Sequence, residues 1–490
     1  MRVVFLPLCV AGGPAADPAR GVLSRAVPRE LAARIARAGG AETSFAPVVH
    51  MVEGKRLFGV LSERLGPPAI RAILAAGAPA DLVVAGDLDP GEPFRLTLAL
   101  LRPPDLAAAG EESFLAPRPE GFGALESAVR WLATRIELPG PPPADRPARS
   151  FDAFLMLLAA REQAAALDGW GETGAAAAAF EAFLAALEAE PEMEAARAEL
   201  GLFAMTATAA GLAAPDVAAE ALARLTESGP RHWPSHAALG QVRALAGDHS
   251  GAADAFERAV ELMPGRASLR FDLGVALLRA GRAGKAAKAL ETVRSDPHVG
   301  PAALFELGRL RAQKGDPGGA LELLLEAAAK GPDLPDLWAA LGQAHVARGE
   351  FEAAEAAFSR GLAAGPPSPA LRRAYGVWLA EEDRFPEAVE QFVELLKLRG
   401  DDPLAHLHIG RAHVAAGRRE LARHHLRKAL RADGEVAEKA KRVLEDVSVV
   451  AREEQLLRTL DEAIARPAEE QVPFLESLIS EETAFVEARV

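Results

Sequence analysis

A single cysteine, Cys9, stands in 490 residues, so no disulfide can form within the chain. There is one tyrosine, and aromatic residues make up only 5% of the total, yet half of the residues are apolar and a quarter charged, the balance of a folded chain. No run of about 18 apolar residues occurs, which leaves no candidate for a membrane-spanning helix. Positive charge is also in deficit: 55 Lys and Arg stand against 69 Asp and Glu, for a net charge of −14. Residues 1–149 hold 17 basic and 16 acidic side chains, so the deficit falls on the remainder. A surface of that sign repels phosphate, which argues against nonspecific nucleic-acid or anionic-membrane binding. The apolar stretch Val3–Val10 has one preceding Arg, an internal Pro7 and a leucine directly before Cys9. It lacks the flanks of a secretion signal and reads as a first strand; a cytoplasmic chain is expected, with the periplasm as the alternative.

What the sequence does have is a period. Glycines stand at 240, 274, 308, 342, 376 and 410, each 34 residues from the last. Around Gly342 stand Trp338, Leu341, Ala354, Phe358 and Pro366; around Gly240 the same frame gives Leu239, Ala252, Phe256, Ala259 and Pro264. Around Gly308 it gives Leu304, Leu307, Ala320, Leu324, Ala327 and Pro332. Small residues at facing positions let two antiparallel helices approach, and the large ones fill the space between them. Gly247, Gly281, Gly315, Gly349 and Gly417 close the first helix of each pair, where glycine takes the left-handed conformation at no steric cost. This pattern resembles the tetratricopeptide repeat, a helix pair of 34 residues that stacks into a superhelical solenoid. A degraded copy centres on Thr206, and Phe151–Leu167 with Thr173–Glu190 form an irregular opening pair. The solenoid is expected over 150–434, as seven to eight helix pairs. Residues 435–490 are expected to add three short capping helices with an acidic outer face.

The first 138 residues differ in character. Strand-like runs at Val3–Val10, Thr43–His50, Leu82–Leu88 and Phe94–Leu101 alternate with helical stretches at Arg20–Ala38, Pro67–Gly77 and Leu125–Ile136. Gly91-Glu92-Pro93 joins two strands as a hairpin, and Glu111–Ala116 adds an edge strand. The Pro-rich stretch 139–149 reads as a stiff linker. The whole is α+β: a small α/β domain followed by an all-α array. Val3-Val4-Phe5-Leu6-Pro7-Leu8, Leu31–Ile35 and the runs Asp81–Leu88 and Phe94–Leu100 resemble the small domain that opens the translocation protein TolB. That domain recurs before tetratricopeptide repeats in bacterial signalling and regulatory proteins. The resemblance implies a sheet with helices on one side and a role in assembly or sensing rather than catalysis.

No catalytic, cofactor-binding or metal-binding set emerges. Asp87 and Asp89 beside Asp81 read as a charged hairpin edge, since no His or Lys is fixed nearby. Gly12-Gly13 lacks the Lys-Ser/Thr ending of a phosphate loop and is followed by Pro14. Cys9 sits in an apolar strand, where a thiol is inert. His406, His408, His413, His424 and His425 crowd the last repeat, but His345 occupies the place of His413 two repeats earlier, and no Cys or acidic partner completes a ligand set. The basic run Arg418, Arg419, Arg423, Arg427, Lys428, Arg431, Lys439, Lys441 and Arg442 reads as a solvated face balancing the acidic cap.

The functional expectation therefore rests on the groove. The resemblance implies that the first helix of each pair lines the concave face, which makes Gln241, Phe271, Val275, Phe305, Arg309, Gln343, Arg373, Val377, Leu407 and Arg411 the candidate positions. Apolar patches alternating with Arg suit an amphipathic helix or extended peptide bearing acidic side chains. The Lys and Asn set of a chaperone-tail clamp is not found there. The expected protein is a non-catalytic adaptor with a docking or sensing module at its start. The alternative is a ligand-sensing or enzymatic amino-terminal domain whose repeats serve self-association.

Overall fold

A computed structural model of the chain describes residues 1–10, 18–46, 49–52, 55–58, 61, 64–77, 80–139, 146–167, 173–331, 335–364, 368–447 and 459. The fold is α+β, with a small sheet followed by helices. It divides into two compact units, Met1–Ala289 and Leu290–Val490.

The first unit opens with β1 (Arg2–Phe5), β2 (Cys9–Val10), helix α1 (Pro18–Ala38) and β3 (Glu42–Phe45). A short hairpin, β4 (Val49–Val52) and β5 (Lys55–Phe58), precedes α2 (Pro67–Ala76). Then come β6 (Leu82–Asp89), β7 (Phe94–Arg102), β8 (Ala107–Ala116) and α3 (Gly121–Arg135). The sheet order is β3-β1-β6-β7-β8, with β2 also on β6. The run expected as one strand over Val3–Val10 is two, because Pro7 has no N–H to give a ladder. Beside that break Leu6 N donates to Val84 O at 2.9 Å, while Leu8 N leaves the sheet and donates to Ser24 O at 2.8 Å. Likewise the run expected over Thr43–His50 stops at Phe45, and β4 pairs with β5 in a separate two-stranded sheet.

Alternation along β1 and β6 buries both faces of the sheet. Val3, Phe5, Leu82 and Val84 pack on the side of α1 and α3, with Leu31, Ile35, Leu125 and Leu132. Val4, Leu6 and Val83 pack on the other side against Ile70 of α2, flanked by Ile73 and Leu74. Helices on one side only, as the TolB likeness implied, is thus corrected: the apolar face of α2 covers the second surface.

Eight helix pairs follow among the described residues. In the first unit they are α4 (Phe151–Leu167) with α5 (Thr173–Ala189), α6 (Glu194–Ala209) with α7 (Pro215–Ser228), α8 (Trp233–Leu245) with α9 (His249–Leu262), and α10 (Ala267–Arg279) with α11 (Ala283–Glu291), whose end crosses into the second. In the second they are α12 (Gly300–Gln313) with α13 (Pro317–Lys330), α14 (Pro335–Ala347) with α15 (Phe351–Ala364), α16 (Pro369–Glu381) with α17 (Phe385–Arg399), and α18 (Pro403–Ala415) with α19 (Arg419–Ala429). A last helix, α20, covers 435–447. The remaining capping helices expected before residue 490 lie outside the described residues, as do Gly12-Gly13, Pro332, Pro366 and most of the Pro-rich stretch.

That stretch does not separate two cores. One continuous apolar cluster runs from Val3 of β1 through Phe151 and Phe154 of α4 to Ala255 of α9. The Phe151 ring meets Phe94 of β7 edge-on at 4.9 Å and Phe122 of α3 at 5.2 Å. Carboxylates and arginines tie the same seam: Arg25 Nε of α1 donates to Glu162 Oε1 of α4 at 2.9 Å, and Arg161 reaches Glu30 at 3.4 Å. Arg29 Nε lies 2.8 Å from Glu162 Oε2, close enough for attraction but at an angle unfit for a hydrogen bond.

Within the pairs the 34-residue frame acts through contact between the recurring glycine and the residue sixteen positions later. A β-carbon on Gly240 would lie 2.9 Å from Phe256, on Gly308 2.7 Å from Leu324, and on Gly410 2.8 Å from Leu426. The hairpin turns use φ between 70° and 81° at Gly247, Gly281, Gly315, Gly349 and Gly417. The turn between α16 and α17 has Asp383 in that place, at φ 57°.

Candidate functional site

The second unit holds a cleft of about 470 Å³ built from the first helices of three successive pairs. Gln343, Val346 and Ala347 come from α14; Ala370, Arg373, Ala374, Val377, Trp378 and Glu381 from α16; Leu404 from the start of α18, with Phe358 behind. The first helices can do this because their other face is pinned inward. Leu337, Trp338 and Leu341 of α14, and Leu371, Tyr375 and Leu379 of α16, are buried in one core with Phe358 and Phe392. The Phe358, Tyr375 and Trp378 rings stack in series at 5.1 and 5.9 Å. Alanines at 347, 370 and 374 leave the hollow between those helices unfilled.

Two charged groups line it. Arg373 pairs with Asp402, which is buried, and whose other oxygen caps α18 by accepting from Ala405 N at 3.0 Å. Glu381, exposed at the last turn of α16, has no ion-pair partner among the described residues. The residue that follows the neighbouring acids Glu382 and Asp383, Arg384, is already held by Glu355 at 2.8 Å and Glu387 at 2.6 Å.

Of the ten groove positions read from the sequence, the structure brings Gln343, Arg373 and Val377 together in the cleft. Phe305 and Arg309 stand one turn apart on α12, with the guanidinium 5.7 Å from the ring and 3.1 Å from Glu306. Gln241 is exposed and Phe271 and Val275 half-buried in the first unit, and Arg411 is half-buried on α18. Leu407 requires a correction: it is buried at 1% exposure, because α20 lays Ala440 over it beside Ala422 and Leu426. Sequence reading missed Glu381 and Trp378. The signal for Glu381 was available, since an acid at a helix C-terminus opposes the backbone dipole.

The other clusters resolve into local pairs. Arg64 engages Asp87 and reaches Glu111 at 2.7 Å, and Asp89 accepts from Gly91 N at 3.0 Å. In the last repeat His406 and His425 face each other Nδ1 to Nδ1 at 2.9 Å, and His406 Nε2 lies 2.9 Å from Asp401. Burial lowers the pKa of His406, and it lowers those of His408 and His425 to about 4 each. Burial also pushes Asp272 up to about 6 and raises Glu162. Among the described residues no group of three or more His, Cys, Asp or Glu is placed to hold a metal ion, and no helix is long and apolar enough to cross a membrane.

Comparison with known proteins agrees with the geometry of the pairs. Models described as tetratricopeptide repeat match residues 208–267, 271–335, 311–376 and 379–437. The chain therefore carries tetratricopeptide repeats, while the TolB likeness of its opening domain is supported by no family match. Among solved structures, the yeast Tom70 structure is similar at 16% identity and TM-score 0.43, over 63% of this chain and 66% of that one. The APC/C hetero-tetramer Cut9-Hcn1 is similar at 15% identity and TM-score 0.42, over 61% of this chain and 62% of that one. Pseudomonas aeruginosa pilF is similar at 18% identity and TM-score 0.37, over 45% and 97%. The search of curated proteins found no match.

Proposed function

We propose that this chain is a non-catalytic scaffold that holds a protein or peptide partner in the cleft formed by α14, α16 and α18. The observation that carries the reading is the cleft itself: three consecutive first helices present small and apolar side chains to one hollow while their opposite faces are fixed in the core. A volume near 470 Å³ falls in the range of sites that seat a small ligand or a few side chains. The sheet at the start of the chain serves, in this reading, as the module that docks or senses, and the cytoplasm as the setting.

Selection of peptides from a random displayed library on the full chain tests this. Enrichment of binders that are lost on Val377→Asp, with unchanged helical circular dichroism, is the expected result. No enrichment, or binders indifferent to Val377→Asp, would sink it.

A further inference from the structure

We infer that the cleft selects an apolar segment flanked by a basic residue, with Glu381 receiving the cation. This deepens the scaffold reading above and rests on it. An alternation of apolar residues with arginine suggests the opposite sign, an acidic partner. The ion pairs of the folded chain reverse that preference. Arg373, the cation lining the cleft, is already neutralised by Asp402, and Arg309 on α12 by Glu306. To capture a partner's carboxylate, Arg373 would have to leave Asp402, which is 6% exposed and caps α18, so that a buried anion would lose its counter-charge.

The charge that remains unpaired is negative, although Arg373 Nε and Trp378 Nε1 are buried donors without a hydrogen-bond partner among the described residues. Glu381 lines the cleft without an ion-pair partner among the described residues, and Glu382 and Asp383 follow it directly. The nearest cation in sequence, Arg384, is committed to Glu355 and Glu387. The position compounds the effect, because the last turn of α16 contains no basic residue and its carbonyls present the negative end of the helix. An acid there opposes the stability of its own helix. Local disagreement of that kind is expected where a residue serves a partner instead. The partner chemistry that fits is one or two large apolar side chains resting on Val346, Val377 and Leu404, with a lysine or arginine beside them at the Glu381 end. Gln343, exposed on α14, supplies an amide for the ligand backbone.

The test uses the full chain and the peptides enriched from a random displayed library, remade with a fluorophore for anisotropy titration. Enriched sequences should carry Lys or Arg next to Leu, Phe or Met. Replacing that basic residue by Glu, or introducing Glu381→Lys, should weaken binding about tenfold, and raising salt should weaken it further. Restoring the pairing, Glu381→Lys with the Glu-substituted peptide, should recover part of the loss. Binders that depend on Val377 but are acidic or neutral beside the anchor, or that ignore Glu381→Lys, would overturn the charge assignment while leaving the scaffold reading intact. Binders that ignore Val377→Asp, or none at all, would overturn both.

Discussion

Gly342 lies directly beneath the ring of Phe358, sixteen residues on: a β-carbon on the glycine would sit 2.3 Å from Phe358 Cε1. Helix α14 can lie against α15 only because that carbon is missing. Gly342→Ala should therefore destabilise the second unit by about 1–3 kcal/mol, the usual range for overpacking a filled core. Gly284 of α11, where an added carbon meets nothing within 4 Å, supplies the contrast. There alanine should stabilise by about 0.5–1 kcal/mol through helix propensity alone. Urea titration of both variants checks the opposite signs.

Asp383 occupies the turn that glycine fills at 211, 247, 281, 315, 349 and 417, at φ 57°. A side chain in that conformation costs roughly 1–2 kcal/mol relative to glycine. Asp383→Gly should raise the unfolding midpoint of the second unit. Asp383→Asn, which removes the charge but keeps the side chain, should recover less; equal gains from both would show that charge, not backbone strain, sets the effect.

Acid should loosen the last repeat. His408 and His425 titrate near 6.5 when unfolded and about 4 when folded, so between those values the unfolded chain binds more protons. Stability contributed by their neutral forms is complete above pH 6.5 and is lost as the pH falls towards 4. The His406 and His425 Nδ1 atoms can share one proton between them but not two, so protonating both breaks the contact between those two rings. Lys428 and Arg418 sharpen this by repelling the added charge at His406, His425 and His413. Thermal melts from pH 7.5 to 4.5 should show the loss, and His408→Gln should flatten it.

The seam between sheet and repeats should be indispensable to the first unit. Phe151→Ala should cost about 3–5 kcal/mol by leaving a cavity among Phe94, Phe122 and Phe154. Glu162→Ala should cost a similar amount, because Arg25 and Arg29 would keep their charge beside an apolar core without the carboxylate between them. A fragment ending at residue 145 should fail to melt cooperatively, whereas one ending at 289 should do so. Calorimetry of the two fragments decides the matter.

Much of this architecture was legible because it repeats. A 34-residue period fixes which glycine meets which large apolar side chain and which glycine turns the chain, and each copy corroborates the next. The opening sheet was legible from alternation, but the break at Pro7 and the separate β4–β5 hairpin depend on pairing partners that lie far along the chain. The cleft was half legible. Counting along first helices reaches Gln343, Arg373 and Val377, yet it cannot reveal that Asp402 has already claimed Arg373 or that α20 covers Leu407. Those are tertiary facts about neighbours, and periodicity carries no information on them.

A helical array ordinarily leaves bare apolar surface where its stacking begins, and needs a polar closing element there. Here the sheet and its helices fill that place, sharing a single core with α4 to α9. Growth or shrinkage of the array by whole hairpins is thus constrained at its beginning, since any insertion there must match an irregular surface built of strands as well as helices. Between α12 and α17 the 34-residue copies pack in one repeated core. They can be duplicated, exchanged or deleted with the least disturbance, which makes that half the natural place to graft new binding preferences.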